Sequence, residues 1–424
     1  MSSNNSNVIV LLCVCLLKEF VIAVKYIENS SSESKFRNYE LKDAIERAKA
    51  YLASQRIKYD ICVITDNDSP VYTAITNCGV SSAGKGYGLQ SLASCLFELI
   101  EHHSFNNLNQ TLLLEEIDIR SRELIQSRAF RDDKITKEFF SDNIDCLIAC
   151  VEYLELIDSS RLYRPKFMLD INYRESVGEV DLSSIRKYSS SMGVASGCDF
   201  EESLYHGICE VIEHDGTSRF LEDVYLRKNI IINRVDFENS LDQVKHLKES
   251  VENEISKEIV VFETINAFSI PSFIAILKDN IFDIGISGAG ASYCRVNAVE
   301  RAILELKQDY CIRTEHYKES DEESKEMTFL FQRIPAYLSC CRLLFNEIEE
   351  LNTIQLTKIR SIDLKITDLT FSLSEVVKAI YDKNEVVYYK KLVDHDLASV
   401  TSIFITGTSN FSLVRGGVPI IPRY

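Results

Sequence analysis

At 424 residues and 46% apolar content, the chain is long enough for two or three domain cores or one large α/β unit. A formal charge of −17 argues against partnership with nucleic acid or an anionic membrane surface, because phosphate contacts need Lys and Arg. The 13 cysteines include no CxxC pair, which excludes the common zinc patterns, and their odd number with no secretory leader implies a reducing cytoplasm.

Residues 1–28 predict one or two short strands. The apolar run Val8 to Leu17 is too short to span a bilayer and lacks a basic leader. A Ser-rich break at Asn29 to Lys35 precedes a helix over Tyr39 to Gln55, where Leu41, Ala44, Ile45, Ala48 and Leu52 recur at helical spacing. Strands are expected at Asp60 to Thr65 and Val71 to Thr76, around the turn Asp66 to Pro70. Residues 104–190 read as mixed, with a helix near 142–157 and a strand from Phe167 to Ile171 behind Pro165. Ile259 to Phe262 and Phe273 to Leu277 look like further strands, and a helix follows a glycine turn within 285–310. Thr314 to Met327, dominated by Glu, Lys, Asp and Ser, reads as an exposed loop or the frayed start of a helix. The Pro- and Gly-rich end, Val414 to Tyr424, is expected to run extended. Strands alternating with helices give an α/β class. The expected division is an N-terminal extension, 1–75, and one catalytic domain, 76–424.

One helix pattern appears twice. Glu98-Leu99-Ile100-Glu101-His102 returns as Glu210-Val211-Ile212-Glu213-His214, each with Ser-Leu the same distance upstream. A weaker third copy is Arg301 to Gln308. Glycine turns precede all three, at Gly84 to Gly88, Gly193 to Gly197 and Gly285 to Gly290. Acids at i and i+3 share a helix face. Their neighbours are apolar nearly all round, which marks buried helices. Carboxylates so placed are costly unless paired or bound to metal, and two pairs brought together repel. A divalent cation answers both problems, and an oxygen-only ligand set favours Mg²⁺ or Ca²⁺. The segment Gly79 to Lys85 also fits Walker A spacing, but Gly86 stands where Ser or Thr is needed, so we read it as coincidence. His102, His103 and His206 are read as packing residues, or as supports behind the ligands, rather than as ligands themselves.

In order and spacing these motifs resemble the YcaO family: Gly84-Lys85-Gly86 then ExxE, Ala195-Ser196-Gly197 then Glu202, His206-Gly207, ExxE and Asp215, and finally Arg301-Ala302, Glu305 and Gln308. The resemblance implies a YcaO-type α/β fold around one ATP site, with Mg²⁺ held by Glu98, Glu101, Glu210 and Glu213. It implies ATP contacts from Arg301, Glu305 and Glu202, with Arg37 at the position of a family basic residue and Lys85 near the site. Two positions depart from the family pattern: Cys198 replaces a common Asn, and His214 replaces a common Arg.

The activity implied is ATP-dependent cyclodehydration, in which backbone amides of a ribosomal precursor peptide are O-phosphorylated and closed to thiazoline or oxazoline rings. Azoline-forming members resemble one another in a terminal PxPxxP; here Gly417 to Pro422 keeps two of its three prolines. The expectation is therefore that Tyr424, through its carboxylate or the tail near it, acts as base or orients the substrate. The resemblance also implies a separate leader-binding, adenylating-enzyme-like docking protein and a flavin-dependent azoline dehydrogenase as partners. The alternatives are a thioamide- or macroamidine-forming relative and a non-catalytic peptide-binding scaffold.

Overall fold

The computed structural model describes residues 37–106, 117–130, 133–169, 181–182, 185–280, 282, 284–363 and 368–422. Helix α1 (Leu41–Ser54) forms where Ala44, Ile45, Ala48 and Leu52 fall on one face of a 3.6-residue period, and all four are buried. Strands β1 (Tyr59–Thr65) and β2 (Val71–Thr76) pair antiparallel across the turn at 66–70, and β3 (Ser81–Gly84) completes a three-stranded sheet. Helix α2 (Leu89–Asn106) follows directly and packs with α1 over this sheet.

Next come β4 (Ile117–Arg120), β5 (Leu147–Glu155), β6 (Arg161–Pro165) and β7 (Val194–Gly197), then the long helix α3 (Phe200–Leu221). Asp199 caps α3, its side chain accepting the Glu202 N–H at 3.0 Å. Strand β8 (Ile231–Val235), helix α4 (Asp242–Ile255) and strands β9 (Ile259–Glu263), β10 (Ser272–Leu277) and β11 (Ser287–Ala291) lead into helix α5 (Arg295–Glu315). Helix α6 (Tyr317–Phe331), strand β12 (Thr353–Thr357), helix α7 (Leu369–Tyr381) and the hairpin β13 (Val387–His395) and β14 (Ala398–Ile405) complete the fold.

The remaining strands build a five-stranded sheet, β11-β10-β9-β8-β12, and a six-stranded sheet, β4-β5-β13-β14-β7, with β6 on β5. Strands β3, β7 and β11 are each the last strand of their sheet, and each runs straight into an acid-bearing helix. The helices lie unusually close to these strands. A Cβ on Gly84 would stand 1.9 Å from the Ser91 carbonyl oxygen, and one on Gly288 would stand 2.1 Å from the Leu306 nitrogen.

Several expectations change. The segment near 142–157 is strand β5 rather than helix. Its apolar residues satisfy a helical spacing, but Ile148, Cys150 and Tyr153 are buried within a ladder paired to β4, β6 and β13. Where the strand expected over Phe167 to Ile171 would begin, Lys166–Met168 is a 3₁₀ turn, and strand β6 ends before it at Pro165; Asp170 and Ile171 lie outside the described residues. The charged stretch from Thr314 is helical, finishing α5 and forming most of α6, in keeping with the helix propensity of Glu and Lys. Within the tail, Phe411–Gly416 is 3₁₀, and residues 417–422 belong to no helix or strand. The boundary expected after residue 75 falls inside β2, and Phe36–Tyr424 forms one compact unit. The strands expected within 1–28, the break at 29–35 and Tyr424 lie outside the described residues. Among the described residues no helix is long and apolar enough to cross a membrane.

Gly84→Ala should cost about 2–3 kcal/mol or more, because the new methyl meets helix backbone rather than a movable side chain. Chemical denaturation checks this; an unchanged midpoint would show that β3 and α2 can separate freely.

Candidate active site

The acids are placed by strand–turn–helix geometry. In the first unit, Glu98 on α2 accepts the Ala83 N–H of β3 at 3.5 Å. Its companion Glu101, one turn on, reaches the next unit instead. There the Ser196 backbone N–H of β7 lowers its pKa, and the Ser196 hydroxyl lies 3.5 Å away. The second unit repeats the arrangement. The Gly193 N–H, just before β7, acts on Glu210 of α3, while the Ala291 N–H of β11 in the third unit acts on Glu213, each lowering the pKa of its carboxyl. The third unit answers with Glu305 on α5, which forms an ion pair with Lys85 in the first glycine turn. Each unit is thus linked to the next, and the last closes on the first.

These contacts put five carboxylates within electrostatic reach of one another, against two cations, Lys85 and Arg301. Arg301 Nη2 stands 3.9 Å from Glu213 Oε2. Glu213 is the most enclosed of the group, its side chain 8% exposed, whereas Glu98, Glu210 and Glu305 keep 28–32% and meet solvent on one side. Full burial, as the apolar helix sequences suggested, applies to the helices more than to the acids.

Burial and mutual repulsion raise four of these carboxyls. Glu101 sits well above the ordinary carboxylate range through burial and the Glu210 and Glu98 charges. Burial also raises Glu98, with His102 and Lys85 opposing. Glu210 is pushed up to about 8 by burial and Glu213, and Glu213 to about 7 by burial and Glu305. Glu305 differs: burial favours its neutral form, but the pairing with Lys85 and the nearby Arg301 outweigh this and hold it low.

Around this group, Arg37 Nη1 meets Glu202 Oε1 at 3.1 Å, and the other Glu202 oxygen accepts the Cys198 N–H at 2.6 Å. Arg37 also lies over the Phe97 ring, 5.9 Å from its centroid. His206 turns Nδ1 to the Ser196 carbonyl at 3.4 Å; burial and the Arg37 and Arg301 charges drop its pKa to about 3, so it is neutral. His102 Nδ1 lies 2.6 Å from the Ser81 carbonyl, a histidine-to-edge-strand contact of the same kind. The Walker-like run Gly79 to Lys85 is hairpin turn and β3, not a phosphate loop opening a helix.

Residues 83–408 match the family model of the YcaO cyclodehydratases, described as ATP- and Mg²⁺-binding. The chain belongs to the YcaO family. It is accordingly an ATP-dependent enzyme of the cyclodehydratase type, with ATP and Mg²⁺ as its cofactors. Among solved structures it is similar to YcaO from Methanopyrus kandleri bound with AMPPCP and Mg²⁺, at 17% identity and TM-score 0.64, over 93% of this chain and 98% of that one. It is also similar to a heterocyclase in complex with substrate and cofactor, at 17% and 0.65, over 88% of this chain but 53% of that one. The McbBCD microcin synthetase complex of E. coli matches at 14% and 0.57, over 81% and 86%. At these identities the likeness shows the fold. No curated protein sequence matches the chain.

The YcaO residues fit a magnesium nucleotide. Glu213 Oε2 and Arg301 Nε are buried without a hydrogen-bond partner among the described residues. The carboxylate excess requires added positive charge, and Arg301 requires an acceptor. Among the described residues no group of three or more His, Cys, Asp and Glu side chains could hold a metal by itself.

Of the residues singled out from the sequence, the structure sets Glu98, Glu101, Glu210, Glu213, Glu305, Arg301 and Lys85 near one another and pairs Arg37 with Glu202. Sequence reasoning missed the four backbone N–H groups and Ser196, which carry no side-chain signature beyond the glycine turns.

Because Glu210 and Glu213 titrate higher folded than unfolded, the folded chain holds protons that the unfolded chain has lost. Their contribution to stability is therefore present below the usual carboxylate range and fades as pH rises towards about 8. Without nucleotide, the thermal gain of Glu210→Gln over the parent protein should be small near about pH 5 and grow towards about pH 8. A gain independent of pH would contradict the raised pKa.

Proposed function

We propose that this YcaO enzyme converts Cys, and Ser or Thr, of a ribosomal precursor peptide into thiazoline or oxazoline. The observation that carries the reading is the closed circuit of Glu98, Glu101, Glu210, Glu213 and Glu305 with Lys85 and Arg301. Glu98, Glu101, Glu210 and Glu213 would hold Mg²⁺. Lys85, Arg301 and Glu305 would line the phosphates, with Arg37 and Glu202 bracing the edge of the site. Bound MgATP supplies the phosphoryl group that turns the amide oxygen into a leaving group.

The rest falls to the protein. The thiol or hydroxyl of the modified residue adds to the preceding carbonyl carbon and gives up its proton. The amide nitrogen then loses its own proton as the oxygen departs, so the peptide loses one water. Arg301, always charged, would face the negative charge that builds up on oxygen.

The C-terminal segment is the proposed source of the base. Its 3₁₀ turn at Phe411–Gly416 is seated on the second acidic helix: Ser412 N–H donates to Ser218 Oγ at 2.8 Å, and its hydroxyl lies 3.4 Å from His214 Nδ1. Asp215 accepts the Ser409 N–H at 2.7 Å. Beyond the turn, the hydroxyls of Tyr188 and Tyr337 donate to the carbonyls of Pro419 and Ile420 at 3.3 and 2.5 Å. A turn held at α3, with Ser412 beside His214 one helical turn from Glu210, supports a role for the C-terminal segment, of which Tyr424 is the residue proposed. McbBCD is a complex, which is in keeping with partner proteins for this chain; those proposed are a leader-binding docking protein and a flavin-dependent azoline dehydrogenase.

Two experiments test this. Arg301→Ala should reduce precursor-stimulated phosphate release at least ~100-fold, the scale of losing one electrostatic stabiliser; a near-normal rate removes Arg301 from the site. Appending a bulky tag after Tyr424 should abolish turnover while the thermal midpoint holds, and an unaffected rate would remove the tail from the mechanism. In either assay a product lighter by one water marks azoline formation rather than thioamide formation.

A further inference from the structure

Lys307 lies on α5, two residues beyond Glu305, with only 1% of its surface exposed. A buried ammonium is costly unless its donors are used. Its Nζ donates to Asn67 Oδ1 at 3.0 Å, the Ser69 carbonyl at 2.6 Å and Ser69 Oγ at 2.8 Å, and pairs with Glu254 of α4. Asn67 in turn donates to Glu254 Oε2 at 2.7 Å and accepts the Ser69 N–H at 3.2 Å. The β1–β2 turn is thus wound around a single cation.

That turn touches the catalytic region at its middle residue. The Asp68 carbonyl accepts the N–H of Gly88, the last residue of the first glycine turn, at 3.1 Å. The same glycine turn carries Lys85, whose partner is Glu305. Residues two apart on a helix point roughly 200° from each other. Helix α5 therefore grips the first unit from two flanks, through Glu305 to Lys85 on one and through Lys307 to the 66–70 turn on the other.

We propose that Lys307 is a positioning residue for nucleotide binding: it fixes the 66–70 turn, and through Asp68 and Gly88 the glycine turn that presents Lys85. This rests on the reading of Lys85, Glu305 and Arg301 as the phosphate-facing residues. Lys307 touches none of the reacting atoms and acts through the backbone it anchors.

Calorimetric titration of the full chain with AMPPCP and Mg²⁺ tests the inference without a peptide substrate. Lys307→Met keeps the side chain's length and removes its charge and donors. It should weaken AMPPCP binding about tenfold and lower the thermal midpoint. Val251→Ala, on the opposite element of the same core, should lower the midpoint with unchanged affinity. If Lys307→Met proves insoluble, Ser69→Ala removes one acceptor only and should weaken binding about two- to threefold. Unchanged affinity in a folded Lys307→Met or Ser69→Ala protein overturns the proposal and leaves Lys307 a stability residue. Loss of affinity in Val251→Ala as well would overturn it too, since any weakening of the core would then suffice. Lys85→Gln separates this from the underlying reading: if that variant binds AMPPCP normally, the phosphate-facing assignment fails, whatever Lys307 does.

Discussion

Open sheet edges decide where the acids of this protein can stand. A terminal strand keeps N–H groups that no neighbouring strand uses. Here β3, β7 and β11 are all terminal, and their N–H groups, with that of Gly193 at the entrance to β7, point at carboxylates. Hydrogen bonds from N–H to a charged acceptor are among the stronger ones. They let like charges approach without each carrying its own counter-ion. The ExxE spacing serves this geometry, because one helical turn separates an acid on its own strand from an acid on the next unit's strand.

Backbone dipoles do not neutralise charge, however. After every N–H is used, Glu101, Glu210 and Glu213 still resist ionisation, while Glu305 alone has a lysine close enough to be held as carboxylate. The unliganded protein is therefore organised in position but unfinished in charge. In the proposed site, a magnesium nucleotide would supply what is missing on both sides, a cation for the carboxylates and phosphate oxygens for Arg301.

How much of this was legible in the sequence depended on where the information lay. The i, i+3 acids on apolar helices carry their own periodic signal, and Leu41 to Leu52 did the same for α1. Strand β5 was misread because its interior position, paired on both sides, buries residues on both faces and blurs the period-two pattern. At α6 the sequence leaves loop and helix start both open, because a charged run without an apolar stripe looks like a loop until its propensity is weighed. The edge N–H groups were out of reach for a different reason. Every residue except proline has one, and only sheet order reveals which are unspent.

The two departures from the family pattern become intelligible on the same footing. The Cys198 side chain is a buried thiol pushed well above its usual pKa by burial, while its N–H still serves Glu202; the position contributes backbone whatever its side chain. At 214 the change is larger, since burial lowers the pKa of the histidine and a permanent cation is lost. His214 instead spans two neighbours, with Nε2 3.8 Å from Glu210 Oε1 and Nδ1 3.4 Å from Ser412 Oγ. Positive charge at this end then comes from Lys85 and Arg301, both of which act on Glu213, and Lys85 acts on Glu210 as well. Replacing an arginine by a bridging histidine thus exchanges a fixed charge for a mechanical link between the second acidic pair and the C-terminal arm.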